Sequence, residues 1–349
     1  MPQTLPQALL RQAHTRGSAI ALRYKRLGIW HERSWSEVAH EVSQLAAALH
    51  QRSFGPDDNL LILSQARPEA LLLALAAQWL GASVTLLDPE RDNRALLAEL
   101  RPRFVLVQDL QALQQLGERG VVVFLDGRGL SQSPDTGLIN YAELGADTPA
   151  PAPRPGDTAF VFHADTPQHL SHAQLLAGAR TLVDREHLGA DDEALAARVF
   201  AASGQARYLL APWLHAGFRL NFPEALATRD TDRRELGPTL VLGTRESYAR
   251  LEQWVRERLP LPGSFSHRLY AWAMQPTLSP VRRWLGHWLV RRPLLDVLGM
   301  SRLRVPLLVG PPLHPESAAF FAALGIRPGH WQEPSTRHAP SDHLLPQSA

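Results

Sequence analysis

The feature that most constrains this fold is an alternation of short apolar runs with helix-length segments. Asn59 to Ser64 is an apolar run of strand length, Pro68 to Leu80 has the length of a buried helix, and Ala82 to Leu87 is a second apolar run. Two such runs on either side of a helix are typical of a βαβ unit, in which the strands are parallel. The alternation continues with a helix at Arg94 to Leu100 and strands at Phe104 to Gln108 and Val121 to Leu125. The chain is therefore predicted to be α/β, with mainly parallel, doubly wound sheets.

The N-terminal residues do not follow this alternation. Thr4 to His14 is predicted to be a short amphipathic helix, and Ala19 to Tyr24 with Ile29 to Arg33 form a hairpin that turns at Arg26 to Gly28. Ser34 then has the properties of a helix N-cap for Trp35 to Gln51, whose apolar residues recur at helical spacing.

A proline-rich segment divides the chain. Thr148 to Pro155 reads TPAPAPRP, which is typical of a linker. With 349 residues, of which 45% are hydrophobic, the chain can form two compact units. We predict a first α/β subdomain at residues 1–155, a second at 156–332 and a flexible tail at 333–349.

The second unit opens with a strand, a loop and a helix. Ala159 to Phe162 is predicted to be a buried strand, Ser171 a helix N-cap, and Ala173 to Val183 the helix that follows. This arrangement is where α/β proteins commonly bind phosphates. The intervening loop, His163 to His169, has no glycine and no lysine, so it cannot wrap its backbone N–H groups around a polyphosphate.

Composition excludes several kinds of chemistry. The chain has no cysteine, which excludes disulfides, thiol nucleophiles and thiolate metal sites. Lys25 is the one lysine beside 35 arginines, so lysine chemistry is confined to one position. No helical histidine and carboxylate spacing predicts a metal site, and the dispersed arginines do not predict nucleic-acid binding. Without a signal-peptide pattern or a long apolar run, the expected location is cytoplasmic, or peripheral to the inner membrane face.

Seven stretches of the chain together carry a resemblance to a known family. They are GIWHERSWSEVAHEVSQLAAAL, RPEALLLALAAQWLGASVTLLDPE, GDTAFVF, LSHAQLL, APWLHAGF, GPTLVLGTRESYARLEQWVRERL and LLDVLGMSRLRVPLLVGPPLHPESAAFFAALGI. In this order they resemble the adenylate-forming, AMP-binding superfamily, and most closely its long-chain fatty acid-CoA ligases, over Leu5 to about Gly329. The resemblance implies the large N-terminal domain, two doubly wound β/α subdomains with an acyl and nucleotide crevice between them. It also implies ATP, Mg²⁺ and CoA as cofactors, and AMP formation through an acyl-adenylate.

The departures from the family fall where nucleotide chemistry is expected. The family has a glycine-rich, lysine-containing loop of the kind Tyr-Thr-Ser-Gly-Thr-Thr-Gly-x-Pro-Lys-Gly, where this chain has the shorter HADTPQH. The family's Tyr-Gly-x-Thr-Glu is matched by HWQEPST, and its Gly-Ala-Pro-Leu by Gly-Pro-Pro-Leu, in which Pro311 removes a backbone donor. The resemblance leaves four vestigial candidates for nucleotide binding: Thr166, Gly310, Trp331 and Glu333.

The end of the chain differs as well. The family continues with an acidic ribose-binding residue, an arginine hinge and a small C-terminal domain with a catalytic lysine, and no matching residues follow Gly329 here. Lys25 lies on the early hairpin and is not expected to replace either family lysine. No catalytic residue is therefore predicted, and whether the chain is an enzyme stays open.

The acyl side of the family pattern is better retained. APWLHAGF matches the family's Pro-x-x-His segment, which in relatives lines the crevice near the acyl group. On this resemblance Trp213, His215 and Phe218 are candidates for an acyl pocket. The alternative is that His215 is a hydrogen-bonded structural histidine and that the two aromatic residues belong to the core.

A basic aromatic segment stands apart from these motifs. Val281 to Arg292 reads VRRWLGHWLVRR, a composition that suits a helix in an anionic membrane interface. The candidate contact residues are Arg282, Arg283, Trp284, Trp288, Arg291 and Arg292. The alternative is a packed surface helix whose arginines extend into water.

Three functions are compatible with these patterns. The first is a degenerate, non-catalytic acyl-CoA synthetase-like domain of fatty acid metabolism that binds an acyl chain, a nucleotide or a protein. The second is an active AMP-forming fatty acid-CoA ligase completed by a protein partner that supplies the C-terminal domain. The third is a peripheral membrane or scaffold subunit of an acyl-processing assembly.

Overall fold

The computed structural model describes residues 2–117, 120–128, 138–145, 152–163, 167–197, 203–275 and 279–331. Its strands are β1 Ile20–Arg26, β2 Ile29–Ser34, β3 Asn59–Leu63, β4 Ser83–Leu87, β5 Phe104–Val107, β6 Val121–Phe124, β7 Leu138–Asn140, β8 Thr158–His163, β9 Pro167–Ser171, β10 Glu193–Leu195, β11 Arg219–Phe222, β12 Leu240–Gly243, β13 Val305–Val309 and β14 Gly329–Trp331.

The helices include two π-helical turns, Ala206–Leu210 and His287–Arg291, and one 3₁₀ turn, Tyr141–Glu143. The α-helices are α1 Leu5–Arg16, α2 Trp35–Gln51, α3 Pro68–Trp79, α4 Arg94–Leu100, α5 Leu110–Leu113, α6 His172–Glu186, α7 Ser203–Gln205, α8 Ala211–Ala216, α9 Arg229–Leu236, α10 Arg245–Arg256, α11 Phe265–Ala273, α12 Pro280–Gly286, α13 Arg292–Leu298 and α14 Pro315–Ala323. Helices α2 and α4 have the predicted bounds. No helix in the described ranges combines the length and the apolarity needed to cross a membrane.

The strands form two sheets with the same plan. Sheet I has the order β7-β6-β5-β3-β4-β8-β9, and sheet II has the order β14-β13-β12-β10-β11-β1-β2. In each sheet six strands are parallel and the last strand pairs antiparallel within a hairpin, β8–β9 or β1–β2. The predicted mainly parallel, doubly wound α/β fold is confirmed.

Each of the two hairpins joins the sheet whose other strands come from the other half of the chain, an arrangement that we call the exchange of hairpins. Hairpin β1–β2 comes first in sequence but joins sheet II, where β1 pairs with β11, and hairpin β8–β9 joins sheet I, where β8 pairs with β4. The predicted division at residues 155 and 156 therefore does not separate the sheets. The physical reason is that each hairpin covers an edge of a sheet whose other strands come from the other half of the chain.

A capping box leads the chain out of each hairpin. The Ser34 side chain accepts a hydrogen bond from the Glu37 N–H, and the Glu37 side chain accepts one from the Ser34 N–H. Ser171 and Gln174 form the same reciprocal pair of hydrogen bonds. The predicted N-caps are both confirmed. Helix α2 then leads to β3 of sheet I, and α6 leads to β10 of sheet II.

A common apolar core joins the two sheets. Trp35 of α2 and Trp213 of α8 are fully buried and stack with their ring centroids 4.8 Å apart. The same cluster of buried side chains includes Leu22 of sheet II and Leu60 of sheet I. The two sheets therefore share this core, and each sheet also contributes to a smaller apolar cluster of its own.

One predicted loop contains a strand. Residues 163–169 were expected to form an irregular connection, but β9 begins at Pro167 and pairs with β8 from His163 to Thr158. The polar sequence PQHLS has no strand-like apolar pattern, so only its pairing with β8 makes it a strand. Thr166, the predicted linker residues 148–151, Glu333 and the predicted tail lie outside the described residues.

Candidate functional site

Sheet II has a pocket where its strand order changes direction. β10 is followed along the chain by its neighbour β11 on one side, whereas β12, β13 and β14 continue outward on the other side. Ligands of open parallel sheets bind at such switch points, outside the carboxyl ends of the strands. The register joins β10 to β12 at Ala194 and Leu240, and beyond these residues the strands part around a pocket of about 190 Å³.

The pocket has an apolar wall and a basic rim. Its polar lining residues are Arg229, Arg233, Glu246, Ser247, Tyr248 and Arg250. Its apolar wall consists of Leu195, Ala197, Val241, Leu242, Gly243 and Leu251. Three guanidinium groups beside apolar residues suit a ligand with an anionic group and an apolar body.

The rim arginines are oriented by one carboxylate. Arg233 Nη1 lies 2.9 Å from Asp230 Oδ1, and Arg250 forms a bidentate pair with the same carboxylate. Burial alone would raise the pKa of Asp230, but the hydrogen bond from Arg250 and the charges of Arg233 and Arg250 hold this pKa below its ordinary value. Two guanidinium groups share one carboxylate, so the rim keeps a positive balance.

Tyr248 forms the base of the pocket. Its side chain is fully buried, its hydroxyl donates to the Leu307 carbonyl at 3.3 Å, and its ring packs edge-on against Phe321. Burial raises the pKa of Tyr248 well above its ordinary value. The hydroxyl is therefore a structural donor and is not available as a general base.

The equivalent place in sheet I is closed. The switch point there lies between β3 and β5, and the backbone N–H of Gln65 donates to Gln108 Oε1 at 2.8 Å across it. Gln65 Nε2 also donates to Glu90 Oε1 at 2.7 Å. The Gln108 side chain therefore spans the switch point of sheet I, whereas the Gln65 side chain reaches Glu90 after β4.

The carboxyl edges of the two sheets face each other across a narrow crevice. Gln65, Ala66 and Arg67 lie on the sheet I side, and Ala196, Ala197 and residues 223–226 lie on the sheet II side. The space between them measures about 50 Å³. A narrow crevice is thus present between the two sheets.

Two of the four nucleotide candidates lie side by side. Val309 pairs with Trp331 in the register of β13 with β14, which places Gly310 next to the end of β14. His330 Nε2 lies 2.5 Å from the Gly310 carbonyl, and the Arg185 guanidinium lies 4.6 Å from the centre of the Trp331 ring. The indole Nε1 of Trp331 is buried without a hydrogen-bond partner.

These contacts are a poor fit for ATP and Mg²⁺. The Arg185 guanidinium covers a face of Trp331 that would otherwise stack on a base, and His330 already contacts the Gly310 carbonyl. Within the described residues no group of three or more histidine or carboxylate side chains could bind a metal ion. Among the described residues, Gly310 and Trp331 with their present contacts do not fit a MgATP site.

The acyl candidates lie elsewhere. Trp213 and Phe218 are fully buried, and Trp213 Nε1 donates to the Ala21 carbonyl at 3.0 Å. His215 lies near the end of α8, just before β11 begins at Arg219, and therefore at the amino end of the parallel strands. Its backbone carbonyl accepts from Arg11 Nη2 at 2.7 Å, and burial lowers the pKa of its imidazole. This placement, opposite the crevice, argues against the predicted acyl role of His215.

The basic aromatic segment spans α12, the π-helical turn His287–Arg291 and the start of α13. Trp284 and Trp288 are exposed, as are Arg282, Arg283 and Arg292, whereas Arg291 is half-buried. The segment packs on α11.

Sequence reasoning missed the residues of the pocket. Arg229 and Arg233 come from α9 and Arg250 from α10, with β12 between them, so no local spacing connects them. The available signal was the order of strands, because a switch point predicts where a pocket opens. That order depends on pairings that the sequence does not display.

Comparison with known proteins agrees with this geometry. Residues 9–164 match the family described as AMP-binding enzyme. This match spans somewhat less than half of the chain. No curated protein matches the chain in sequence.

Solved structures of adenylate-forming enzymes share the fold. The adenylation domain of a carboxylate reductase from Mycobacterium chelonae has a TM-score of 0.71 at 15% identity, with 95% of this chain and 58% of that chain covered. A fatty acyl-adenylate ligase from L. pneumophila has a TM-score of 0.65 at 12% identity, with 94% and 54% covered. Acetoacetyl-CoA synthetase from Streptomyces lividans has a TM-score of 0.65 at 17% identity, with 94% and 51% covered. This chain therefore spans somewhat more than half the length of these proteins.

Proposed function

We propose that this chain is a member of the AMP-binding enzyme family, that it binds an acyl carboxylate ligand, and that it does not catalyse adenylation by itself. The observation that carries the proposal is the register of β8 with β9. His163 pairs with Pro167, so only residues 164–166, Ala-Asp-Thr, connect the two strands at the carboxyl edge of sheet I.

Three such residues are a poor substitute for a phosphate-binding loop. A triphosphate is stabilised by several converging N–H donors and a lysine, and this connection has neither a glycine to expose its backbone nor a lysine. Each lost hydrogen bond to a charged group costs about 1.5 to 3 kcal/mol, and several are lost together. The covered face of Trp331 supports the same proposal.

The pocket of sheet II supports the acyl part. Its rim carries Arg229, Arg233 and Arg250, and its wall is formed by aliphatic residues. A guanidinium group binds a carboxylate through two parallel hydrogen bonds, and apolar walls favour an alkyl chain. The volume of about 190 Å³ suits a small ligand or the carboxyl end of a longer one.

Calorimetry with dodecanoate, AMP and MgATP tests the proposal. Binding of dodecanoate without measurable MgATP binding is expected, together with no pyrophosphate release in the presence of both. Pyrophosphate release by the purified chain at a rate typical of ligases would contradict the proposal.

Two matched variants locate the ligand. Arg250→Gln is expected to weaken dodecanoate binding about tenfold, since a hydrogen bond to a charged group contributes about 1.5 to 3 kcal/mol. Arg245→Gln is the control, because Arg245 lies outside the pocket lining and donates from Nε to the Pro312 carbonyl at 2.7 Å. Equal affinity of both variants would place the acyl ligand elsewhere.

A second candidate function is AMP-forming fatty acid-CoA ligation completed by a partner polypeptide. It is favoured by the position of Gly310 beside Trp331, since this is the arrangement the family resemblance implies for the nucleotide. Pyrophosphate release should then appear only after a candidate partner is mixed with this chain. Release that needs both proteins would replace the first proposal with this one.

A further inference from the structure

One helical surface exposes its apolar side to solvent. We name residues 280–298, which comprise α12, the π-helical turn and α13, the interface segment. Its exposed apolar side chains recur at a spacing of three and four residues, which places them along one helical face. They are Val281 (69% exposed), Trp284 (61%), Leu285 (40%), Trp288 (48%) and Leu289 (56%).

This surface holds most of the exposed apolar side chains in the described part of the chain. Of the eleven large hydrophobic residues that are exposed there, eight lie between Leu261 and Val297. Leu261 is 81% exposed and Phe265, at the start of α11, is 74% exposed. A concentration of this kind marks an interaction surface, whereas single exposed apolar residues are ordinary.

The opposite side of the interface segment is fixed to the protein. Gly286 and Val290 are buried, and a Cβ on Gly286 would lie 3.3 Å from the Ala273 Cβ of α11. Arg291 donates from Nε and Nη2 to the Ala273 carbonyl at 3.1 and 2.8 Å. The segment is thus anchored by its small residues, and its tryptophans are held outward.

The charge of this region has one sign. From Arg258 to Leu295 the sequence contains six arginines and neither aspartate nor glutamate, although the whole chain has 34 such acids in 349 residues. Arg282 and Arg283 are exposed beside Trp284, and the Arg292 guanidinium lies 4.4 Å from the centre of the Trp288 ring. Within the interface segment itself, four arginines accompany one carboxylate, the exposed Asp296 of α13, so the charge beside the apolar face is predominantly positive.

We infer that the interface segment docks this protein on an anionic membrane surface. Its tryptophan and leucine side chains enter the boundary between headgroups and acyl chains, and its arginines contact lipid phosphates. The predominantly positive charge favours a lipid surface, because phosphates of one sign cover an anionic bilayer continuously. The inference does not depend on the proposed acyl ligand.

The fold connects this surface to the pocket. The Leu298 carbonyl at the end of α13 accepts from Arg233 Nε at 2.8 Å, and Arg233 is part of the pocket rim. A protein docked through α12 would thus present the sheet II pocket near the source of acyl chains.

Vesicle flotation tests the inference with the full chain. Vesicles of equal parts phosphatidylglycerol and phosphatidylcholine should carry the protein upward, and vesicles of phosphatidylcholine alone should carry much less. Arg282→Gln with Arg283→Gln is expected to weaken partitioning roughly 25-fold, since each basic side chain contributes about fivefold. Trp284→Ser with Trp288→Ser is expected to weaken it about tenfold or more.

Matched exposed positions provide the controls. Ile29→Ser, at a residue 63% exposed on the β1–β2 hairpin, and Arg91→Gln, at an arginine side chain 82% exposed, should leave flotation unchanged. Circular dichroism of each variant checks that the fold is retained. Equal flotation of wild type and the tryptophan variant would overturn the inference, as would equal binding to both vesicle types.

A third outcome would assign the face to a second copy of the chain. If wild type does not float but dimerises with rising concentration, and Trp284→Ser with Trp288→Ser abolishes the dimer, membrane docking is wrong. Sedimentation of both proteins without lipid distinguishes this case.

Discussion

The two sheets have one strand plan, yet their switch points differ: sheet II has a pocket there, whereas in the described part of sheet I the Gln108 side chain spans the gap. In sheet II the wall beyond β10 and β12 is built from short side chains, Ala197 and Gly243, and the rim consists of arginines on α9 and α10. In sheet I the glutamine that follows β5, Gln108, reaches the backbone of Gln65 after β3 and closes the same position. Topology therefore determines where a pocket can open, and the first residues after each strand determine whether it does.

The two sheets differ at their switch points but share a core. The prediction with the largest expected effect tests whether this shared core stabilises both sheets. Trp213→Ala removes the indole that stacks on Trp35 between the sheets. It should lower the free energy of unfolding by about 3 to 5 kcal/mol, because the site is fully buried. Urea unfolding followed by circular dichroism should keep a single transition, since the exchanged hairpins connect both sheets.

The control for this prediction is Trp284→Ala, at a tryptophan 61% exposed, which should change the free energy of unfolding by less than about 0.5 kcal/mol. Two separate transitions in Trp213→Ala would mean that the sheets are independent domains.

The second prediction concerns the first residue after each capping serine, which differs between the two halves of the chain. Trp35 follows the cap Ser34, whereas the equivalent residue after Ser171 is His172. His172 Nδ1 accepts from the Leu5 N–H at 3.3 Å, and burial lowers the pKa of His172 to about 4, against an ordinary 6.5.

Protonation of His172 is disfavoured in the folded protein but not in the unfolded chain. The contribution of His172 to the free energy of unfolding is therefore fully present above pH 6.5 and decreases as the pH falls toward 4. The loss attributable to this residue is about 3 kcal/mol. His172→Gln keeps an acceptor for Leu5 but does not titrate, so its urea midpoint should fall less steeply between these pH values. His50→Gln, at an exposed histidine, should behave as wild type; an equal slope for His172→Gln would contradict the prediction.

The third prediction concerns Gly243→Ala, a substitution that narrows the pocket of sheet II. A Cβ at Gly243 would lie 2.6 Å from Tyr248 Cε2, and the buried ring cannot move away freely. Gly243→Ala should lower the free energy of unfolding by about 1 to 3 kcal/mol through overpacking. It should also weaken dodecanoate binding, as measured by calorimetry.

Gly178→Ala is the control for Gly243→Ala, because Gly178 lies within α6 with open space around its Cβ position. It should raise the free energy of unfolding by about 0.5 to 1 kcal/mol. Unchanged dodecanoate affinity in Gly243→Ala would show that the ligand does not occupy this pocket.

Local pattern predicted the elements well and the assembly poorly. Helix α2 has the predicted bounds because its cap and its apolar spacing lie within the segment itself. Strand β9 was missed because its sequence is polar and only its partner β8 makes it a strand. The exchange of hairpins was missed because β1 pairs with β11, about 200 residues later in the chain, and no local signal specifies that contact. The pocket depends on the pairing of β10 with β12, at Ala194 and Leu240, and no local signal in the sequence specifies that pairing.

The smallest expected effect comes from the closed switch point of sheet I. Gln108→Ala removes the acceptor of the Gln65 N–H and should lower the free energy of unfolding by about 1 kcal/mol, the contribution of a typical hydrogen bond. Gln111→Ala, at an exposed residue of α5, should have no such cost. Dodecanoate binding should stay at the wild-type value in both, since the arginine rim exists only in sheet II among the described residues. A new dodecanoate site in Gln108→Ala would mean that space alone makes a pocket, and that the arginines of α9 and α10 are not required.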